Sequence, residues 1–122
     1  MNGQRLVADY LEDIHKACRK AMEFLADMPL GDFAVDDKTA FAVMRALEIV
    51  GEASKRIPQT IRDKYPDVPW RSMAGIRDKL SHDYLTIDME VVWKTVKEDL
   101  PALTPRLQII AEEARGIEEK PN

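Results

Sequence analysis

The sequence predicts an all-α fold, an up-and-down bundle of four to five helices that dimerises. Apolar residues recur at intervals of three and four over three long stretches, which is the spacing of one face of a helix. We find no alternation of apolar and polar residues long enough to indicate a strand. With 122 residues the chain has room for one domain, which we place at residues 1–115, and we expect residues 116–122 to fray.

The first helix is predicted over residues 5–28, where an apolar stripe begins near Val7 and ends at Met28. Proline and glycine then interrupt the helical spacing, so we expect a loop before the second helix. Asp36 or Asp37 can cap that helix, because an aspartate oxygen accepts from the first N–H groups of a helix, which have no partner inside it.

The second helix, predicted over residues 39–57, carries apolar side chains on most of its surface and one narrow polar strip. Such a helix is expected to be buried on most sides. A chain of this size has little other protein to cover it, so we predict that it also contacts a second copy of the chain. Gly51 in its middle costs about 1 kcal/mol relative to alanine. A helix of that second copy, approaching closely, would explain the glycine.

Prolines divide the stretch that follows, so residues 59–65 can form only a short helix. A further helix is predicted to begin at Pro69, which suits a first turn because its missing N–H would have had no partner there. Arg77 flanks the apolar face of this helix, where a cation can be partly desolvated. The residues of that buried face are Trp70, Met73, Ile76 and Leu80.

The last helical stripe follows Asp88, which can cap it, and ends at about Ala114. Pro101 and Pro105 interrupt this stripe. Each removes a helix hydrogen bond and crowds the carbonyl four residues earlier, so we expect a kink or a break near Leu100.

The composition excludes several kinds of protein. No apolar run approaches the roughly 20 residues that cross a bilayer, and the amino-terminal residues lack the apolar core of a signal peptide. We therefore expect a cytoplasmic protein without membrane contact. The lone Cys18 cannot form an internal disulfide, and no companion ligands stand at zinc spacing, so we predict a small buried side chain and neither a metal nor another cofactor.

The net charge of −4 argues against a general nucleic-acid coat protein, because nonspecific affinity comes mainly from cations that replace counterions on phosphates. The distribution of charge is more informative. Residues 55–79 contain seven basic and three acidic side chains, a net charge of +4, which leaves −8 for the rest of the chain. A local basic segment in an acidic protein indicates a focused site, although some of these cations can equally belong to a solvated connection.

Arg77, His82 and Tyr84 are the candidate functional residues of this segment. Arginine is a permanent cation whose planar donors fit phosphate, and histidine is the side chain that exchanges a proton near neutral pH. Five residues along an unbroken helix turn by about 140°, so Arg77 and His82 would point to different faces. Either the helix loosens between Lys79 and His82, or the two groups converge on a ligand across a subunit boundary.

Two other pairs share a face if the helix persists, because their members are about one or two turns apart. Tyr84 lies seven residues after Arg77, and His82 lies four residues after Asp78. Asp78 can therefore orient the imidazole of His82.

The motif segment GIRDKLSHDY, preceded by IVGEASKRIP and followed by TIDMEVVWKTVKEDLPAL, resembles the HepT branch of the HEPN families. Three separated blocks in the right order, over roughly residues 5–110, are far more specific than the short motif alone. One departure is Asp78, where relatives often carry asparagine. The resemblance implies an all-helical bundle that dimerises and a metal-independent ribonuclease site formed by Arg77 and His82. It also implies that a partner nucleotidyltransferase antitoxin adds AMP to Tyr84.

The leading hypothesis is therefore a ribonuclease toxin of a toxin–antitoxin pair that acts on RNA. One alternative is a non-catalytic helical module that binds a nucleotide or docks a nucleotidyltransferase. Another is a purely structural dimerisation bundle. Glu52 is open to two interpretations: paired with Lys55 or Arg56 on the surface it would be structural, whereas in a cleft it would help to place catalytic groups.

Overall fold

The computed structural model describes residues 5–80 and 87–119, and within them it contains helices and no β-strand, which confirms the all-α prediction. A π-helical turn, Thr95–Asp99, joins the last two helices. The helices are α1 Val7–Leu25, α2 Leu30–Phe33, α3 Asp37–Ser54, α4 Gln59–Lys64, α5 Trp70–Ala74, α6 Ile76–Leu80, α7 Met89–Lys94 and α8 Leu100–Glu119.

The long helices α3 and α8 both pack against α1 and run in the opposite direction to it. The start of α1 and the end of α3 line one cleft, in which Tyr10 lies near Glu52. At the opposite end of α1, the indole of Trp93 in α7 donates a hydrogen bond of 2.9 Å to the carbonyl of Met28, just beyond α1. These contacts establish an up-and-down bundle.

One continuous apolar core joins all of the long helices, because each contributes residues at helical spacing. Leu11 and Ile14 of α1, Leu47 of α3 and Leu107 of α8 are completely buried. Cys18 lies in the same core, as predicted. Burial raises the pKa of its thiol to about 12, so the side chain is neutral at physiological pH.

Asp36 caps α3, as the sequence predicted. Its carboxylate accepts hydrogen bonds from the backbone N–H and the hydroxyl of Thr39, at 3.0 and 2.9 Å. The backbone bond is the main reason that the pKa of Asp36 lies below its usual value. The predicted loop before this cap contains the single turn α2, which buries Phe33 against the bundle.

The predicted kink near Leu100 takes the form of the π-helical turn, which immediately precedes that residue. Pro101 has no N–H to bond the carbonyl of Lys97, and a wider turn accommodates the ring at that point. The helix then continues through Pro105. The hydroxyl of Thr104, the residue before this proline, donates to the carbonyl of Leu100 at 2.7 Å.

The last helix extends further than predicted. α8 continues to Glu119, so residues 116–119, which we expected to fray, are helical. The reason is a tertiary contact, because the carboxylate of Glu118 accepts from the N–H groups of Val7 and Ala8 at 3.1 and 2.7 Å. None of the helices in the described part of the chain is both long enough and apolar enough to span a membrane.

Candidate active site

The motif helix is anchored to the core by its apolar face. Trp70, Met73, Ile76 and Leu80 are all buried, as their spacing predicted. The indole N–H of Trp70 donates to the carbonyl of Tyr65 at 2.9 Å, which fixes the start of α5. The single predicted helix is divided at Gly75 into α5 and α6.

Gly51 determines how closely this helix approaches α3. A Cβ atom built on Gly51 would lie 3.0 Å from Cγ2 of Ile76 and 3.4 Å from the carbonyl oxygen of Met73. The close neighbour is therefore part of the same chain, which corrects the prediction that a helix of a second copy explains this glycine.

Arg77 and Asp78 lie on α6 and are both exposed. The partial desolvation predicted for Arg77 therefore stays a prediction. Lys79, the next residue, pairs with Asp99 of the π-helical turn at 3.6 Å. This ion pair links the end of α6 to the π-helical turn between α7 and α8.

His82 and Tyr84 lie outside the described residues, so their pairing with Asp78 and Arg77 stays a prediction. The backbone on either side of that segment is held together, because the N–H of Asp88 donates to the carbonyl of Leu80 at 2.9 Å. Leu80 is buried, and the Asp88 side chain caps α7 by accepting from Val91 N–H at 3.1 Å. Leu80 and Asp88, on either side of the residues that the structure does not describe, are therefore both anchored to the bundle.

Glu52 is exposed and lies in a cleft of about 470 Å³ between the start of α1 and the end of α3. It forms no ion pair among residues 5–80 and 87–119, so the predicted surface pairing with Lys55 or Arg56 is not formed, although both cations line the cleft. Arg5 pairs with Asp13 at 2.7 Å across the same cleft. Arg77 and Asp78 do not line it, so Glu52 and the motif residues occupy separate parts of this surface.

A groove of about 660 Å³ beside the motif helix was not anticipated from the sequence. Its apolar floor includes Met73, Ile76 and Leu103, and Lys79 and Asp99 lie at its edge. The residues that line it come from segments far apart in the chain. No local sequence pattern predicts that these segments meet. In the described part of the chain, no three His, Cys, Asp or Glu side chains are grouped closely enough to hold a metal ion.

Comparison with protein families identifies one match that covers most of the chain. The family model described as HepT-like, ribonuclease HepT-like, matches residues 14–119. This range includes all three sequence blocks and every candidate site residue. No solved structure gives a significant match.

Individual relatives agree with the family model. The chain is 52% identical over 100 residues to a Thermococcus cleftensis protein named "Probable ribonuclease HepT", a match that covers 82% of this chain and 91% of the relative. It is 40% identical over 108 residues to the "Putative RNase MJ1380" of Methanocaldococcus jannaschii, covering 88% and 99%. A second protein of that organism, "Putative RNase MJ0127", is 38% identical over 113 residues, covering 93% of each chain.

Proposed function

The chain belongs to the HepT-like ribonuclease family, and we propose that it is a metal-independent endoribonuclease toxin that acts on RNA in the cytoplasm. The observation that carries this proposal is the family match over residues 14–119, which includes Arg77 and His82. The structure supports it further, because exposed Arg77 lies on a helix whose apolar face is anchored to the core.

Arg77 and His82 divide the chemistry between them in this proposal. The guanidinium of Arg77 holds the scissile phosphate and stabilises the charge that develops on its oxygens. His82 moves a proton between the attacking ribose hydroxyl, or the leaving oxygen, and the solvent. The ribose oxygen forms a bond to phosphorus, the bond from phosphorus to the leaving oxygen breaks, and the leaving oxygen takes up a proton. No step of this exchange requires a metal.

Asp78 and Glu52 have supporting roles in the same proposal. If the helical register continues to His82, Asp78 lies one turn before it and orients the imidazole through a hydrogen bond. Glu52 lies in the neighbouring cleft, from which it helps to place catalytic groups. Asp78→Asn is expected to shift the pH profile of cleavage, because the imidazolium loses a neighbouring negative charge.

Catalysis is tested with His82→Ala and Arg77→Ala. Each variant is expected to lose RNA cleavage by a factor of about 10² to 10⁴ while it stays folded, because a general acid or base and a donor that stabilises developing charge each contribute a factor of about that size. Cleavage on a gel and unfolding by circular dichroism are the measurements. Arg45→Ala is a matched control, since Arg45 is an exposed arginine of α3 that pairs with Glu48 of its own helix. Full cleavage by a folded His82→Ala protein would exclude His82 as a catalytic residue, whereas a parent protein that cuts no RNA would support the non-catalytic module.

We also propose that a cognate nucleotidyltransferase antitoxin silences the enzyme by adding AMP to the phenolic oxygen of Tyr84. The attached phosphate would draw Arg77 into a charge-assisted contact and block the site by its bulk. Tyr84→Phe keeps the ring and removes the acceptor oxygen. With the partner and ATP present, we expect this variant to keep cutting RNA and to gain no mass, whereas the parent protein gains one AMP and loses activity. Silencing and a mass gain that persist in Tyr84→Phe would exclude Tyr84 as the acceptor.

We also propose that the protein is a homodimer. Phe41 on α3 is 76% exposed and Val35 just before this helix is 81% exposed, so large apolar groups of this region face solvent in the single chain. A second copy that covers them would bury apolar area. It would also bring two motif segments together at one cleft.

A further inference from the structure

The seven cations of residues 55–79 differ in the contacts that they make within the chain. Lys79 pairs with Asp99. Lys64 lies 5.5 Å from the centre of the Tyr65 ring. The side chain of Arg62 donates to two backbone carbonyls, and Arg77 belongs to the proposed catalytic pair. The remaining three cations, which we call the cationic strip, are Lys55, Arg56 and Arg71.

The cationic strip is exposed, and none of its three members forms an ion pair with an acidic side chain in the described part of the chain. This differs from most arginines of the bundle. Arg106, for example, pairs with Asp67 at 2.6 Å, and Arg115 pairs with Asp9 at 2.6 Å. In a protein of net charge −4, three neighbouring cations without acidic partners form an unusual local concentration of positive potential.

A structural role at the end of α3 does not account for Lys55 and Arg56. Cations at the last turn of a helix usually bond its free carbonyl groups or oppose its negative end. Here Arg62 already does so, donating to the carbonyls of Ser54 at 2.8 Å and Ile57 at 3.1 Å. Lys55 and Arg56 are therefore available to an external anion.

Arg62 links the members of the strip, which come from different segments. Its side chain reaches back to the carbonyl of Ser54, the residue before Lys55. Arg62 and Arg71 line the same shallow depression of about 560 Å³ between α4 and α5. The N–H of Gly75 donates to the Arg71 carbonyl at 3.1 Å, and α6, which carries Arg77, begins at the next residue.

We propose that the cationic strip binds backbone phosphates of single-stranded RNA on one side of the bond that is cleaved, and so extends the substrate site beyond Arg77 and His82. This inference rests on the proposed ribonuclease function and adds where the rest of the substrate lies. Exposed Lys and Arg side chains without acidic partners bind phosphates because they release condensed counterions. Because contacts to backbone phosphates carry no sequence information, the strip contributes affinity and direction without sequence preference.

The test uses His82→Ala protein, so that the RNA stays intact during the measurement. The combined variant Lys55→Gln, Arg56→Gln, Arg71→Gln is titrated with a single-stranded RNA of mixed sequence at several salt concentrations. Each phosphate contact contributes about 0.7 to the slope of log affinity against log salt, so losing three contacts should reduce the slope by about 2. At low salt the affinity should fall at least tenfold.

A matched control removes the same charge elsewhere in the chain. Lys16 and Lys20 on α1 and Lys38 at the start of α3 are exposed and form no ion pair within the ranges that the structure describes, so all three are changed to Gln. This control should keep the slope of the parent. If the two triple variants lose affinity and slope equally, the effect is general electrostatics and the proposed strip is wrong. An unchanged slope in the first variant overturns it as well.

Cleavage by protein with His82 intact separates this inference from the proposed function. A dinucleotide presents only the scissile phosphate, so the strip variant should cut it at the rate of the parent. A long RNA should be cut at least tenfold less efficiently, through a higher KM. If the parent cuts RNA and the strip variant cuts the long RNA equally well, only the inference fails. If the parent cuts no RNA, the proposed function fails whatever the salt slopes show.

Discussion

Gly51 controls the position of the motif helix at the scale of a single residue. A Cβ atom there would meet a side-chain methyl group of Ile76 and a backbone carbonyl of Met73. Neither neighbour moves easily, because Ile76 is β-branched and buried and the carbonyl belongs to a helix. The absence of a side chain at Gly51 thus lets α6 approach α3.

Gly51→Ala is expected to destabilise the protein and to reduce RNA cleavage. Alanine gains about 1 kcal/mol in helix propensity, and crowding of a packed core costs about 1–3 kcal/mol, so the sum is unfavourable. Gly116→Ala is the matched control, since a Cβ at Gly116 meets nothing within 4 Å, and it should stabilise the protein by about 1 kcal/mol. Urea unfolding measures both. Equal stabilisation by the two alanines would show that α6 is free to move.

At the scale of whole helices, the end of α8 is held against the start of α1. Glu118 near the end of α8 accepts from the first N–H groups of α1, which have no partner inside their own helix. One turn earlier, Arg115 pairs with Asp9 and with Glu12. The hydrogen bond from Arg115 is the largest reason that the pKa of Asp9 lies below its usual value. Together these contacts extend α8 past the boundary that its apolar stripe indicates.

Glu118→Ala is expected to lower the free energy of unfolding by about 1 kcal/mol, because two N–H groups at the start of α1 lose their acceptor. Glu112→Ala removes an exposed glutamate of the same helix, which accepts a hydrogen bond from the Gln108 side chain. This control should change stability by less than about 0.5 kcal/mol. Hydrogen exchange at Val7 and Ala8 provides a local measurement. Unchanged protection of these amides in Glu118→Ala would contradict the capping role.

At the scale of the whole molecule, the bundle leaves part of α3 uncovered by its own chain. The helix is buried where it meets α1 and α5, yet Phe41 on its outer face is exposed and Met44 and Ile49 are half-buried. Apolar groups of this size are unfavourable in water, and a second copy of the chain would cover them. The motif segments of the two copies would then come together at one cleft.

We expect sedimentation at micromolar concentration to give about twice the 13.9 kDa mass of the chain. Phe41→Glu should shift the protein towards the monomer, because dimerisation would bury the new charge without a partner. Ile109→Glu, which places a glutamate at an exposed apolar position of α8, is the control and should leave the mass unchanged. A parent protein that sediments as a monomer would refute the dimer. Dissociation by the control alone would place the interface on α8.

The sequence by itself determined the helical class, the approximate extent of the long helices and the caps at Asp36 and Asp88. These features depend on interactions within one or two turns, and residue spacing reports them directly. It also indicated Arg77 and its segment, because the chemistry of phosphate recognition requires particular residue types.

Tertiary structure alone decided which distant residues meet. It assigned the neighbour of Gly51 to the chain's own Ile76, paired Lys79 with Asp99, and extended α8 through the contact of Glu118 with α1. Each of these contacts joins residues at least 20 positions apart. Sequence periodicity shows which face of a helix is buried, but it does not specify the partner, because many apolar surfaces bury comparable area. The three-dimensional packing of the helices determines which partner each face contacts.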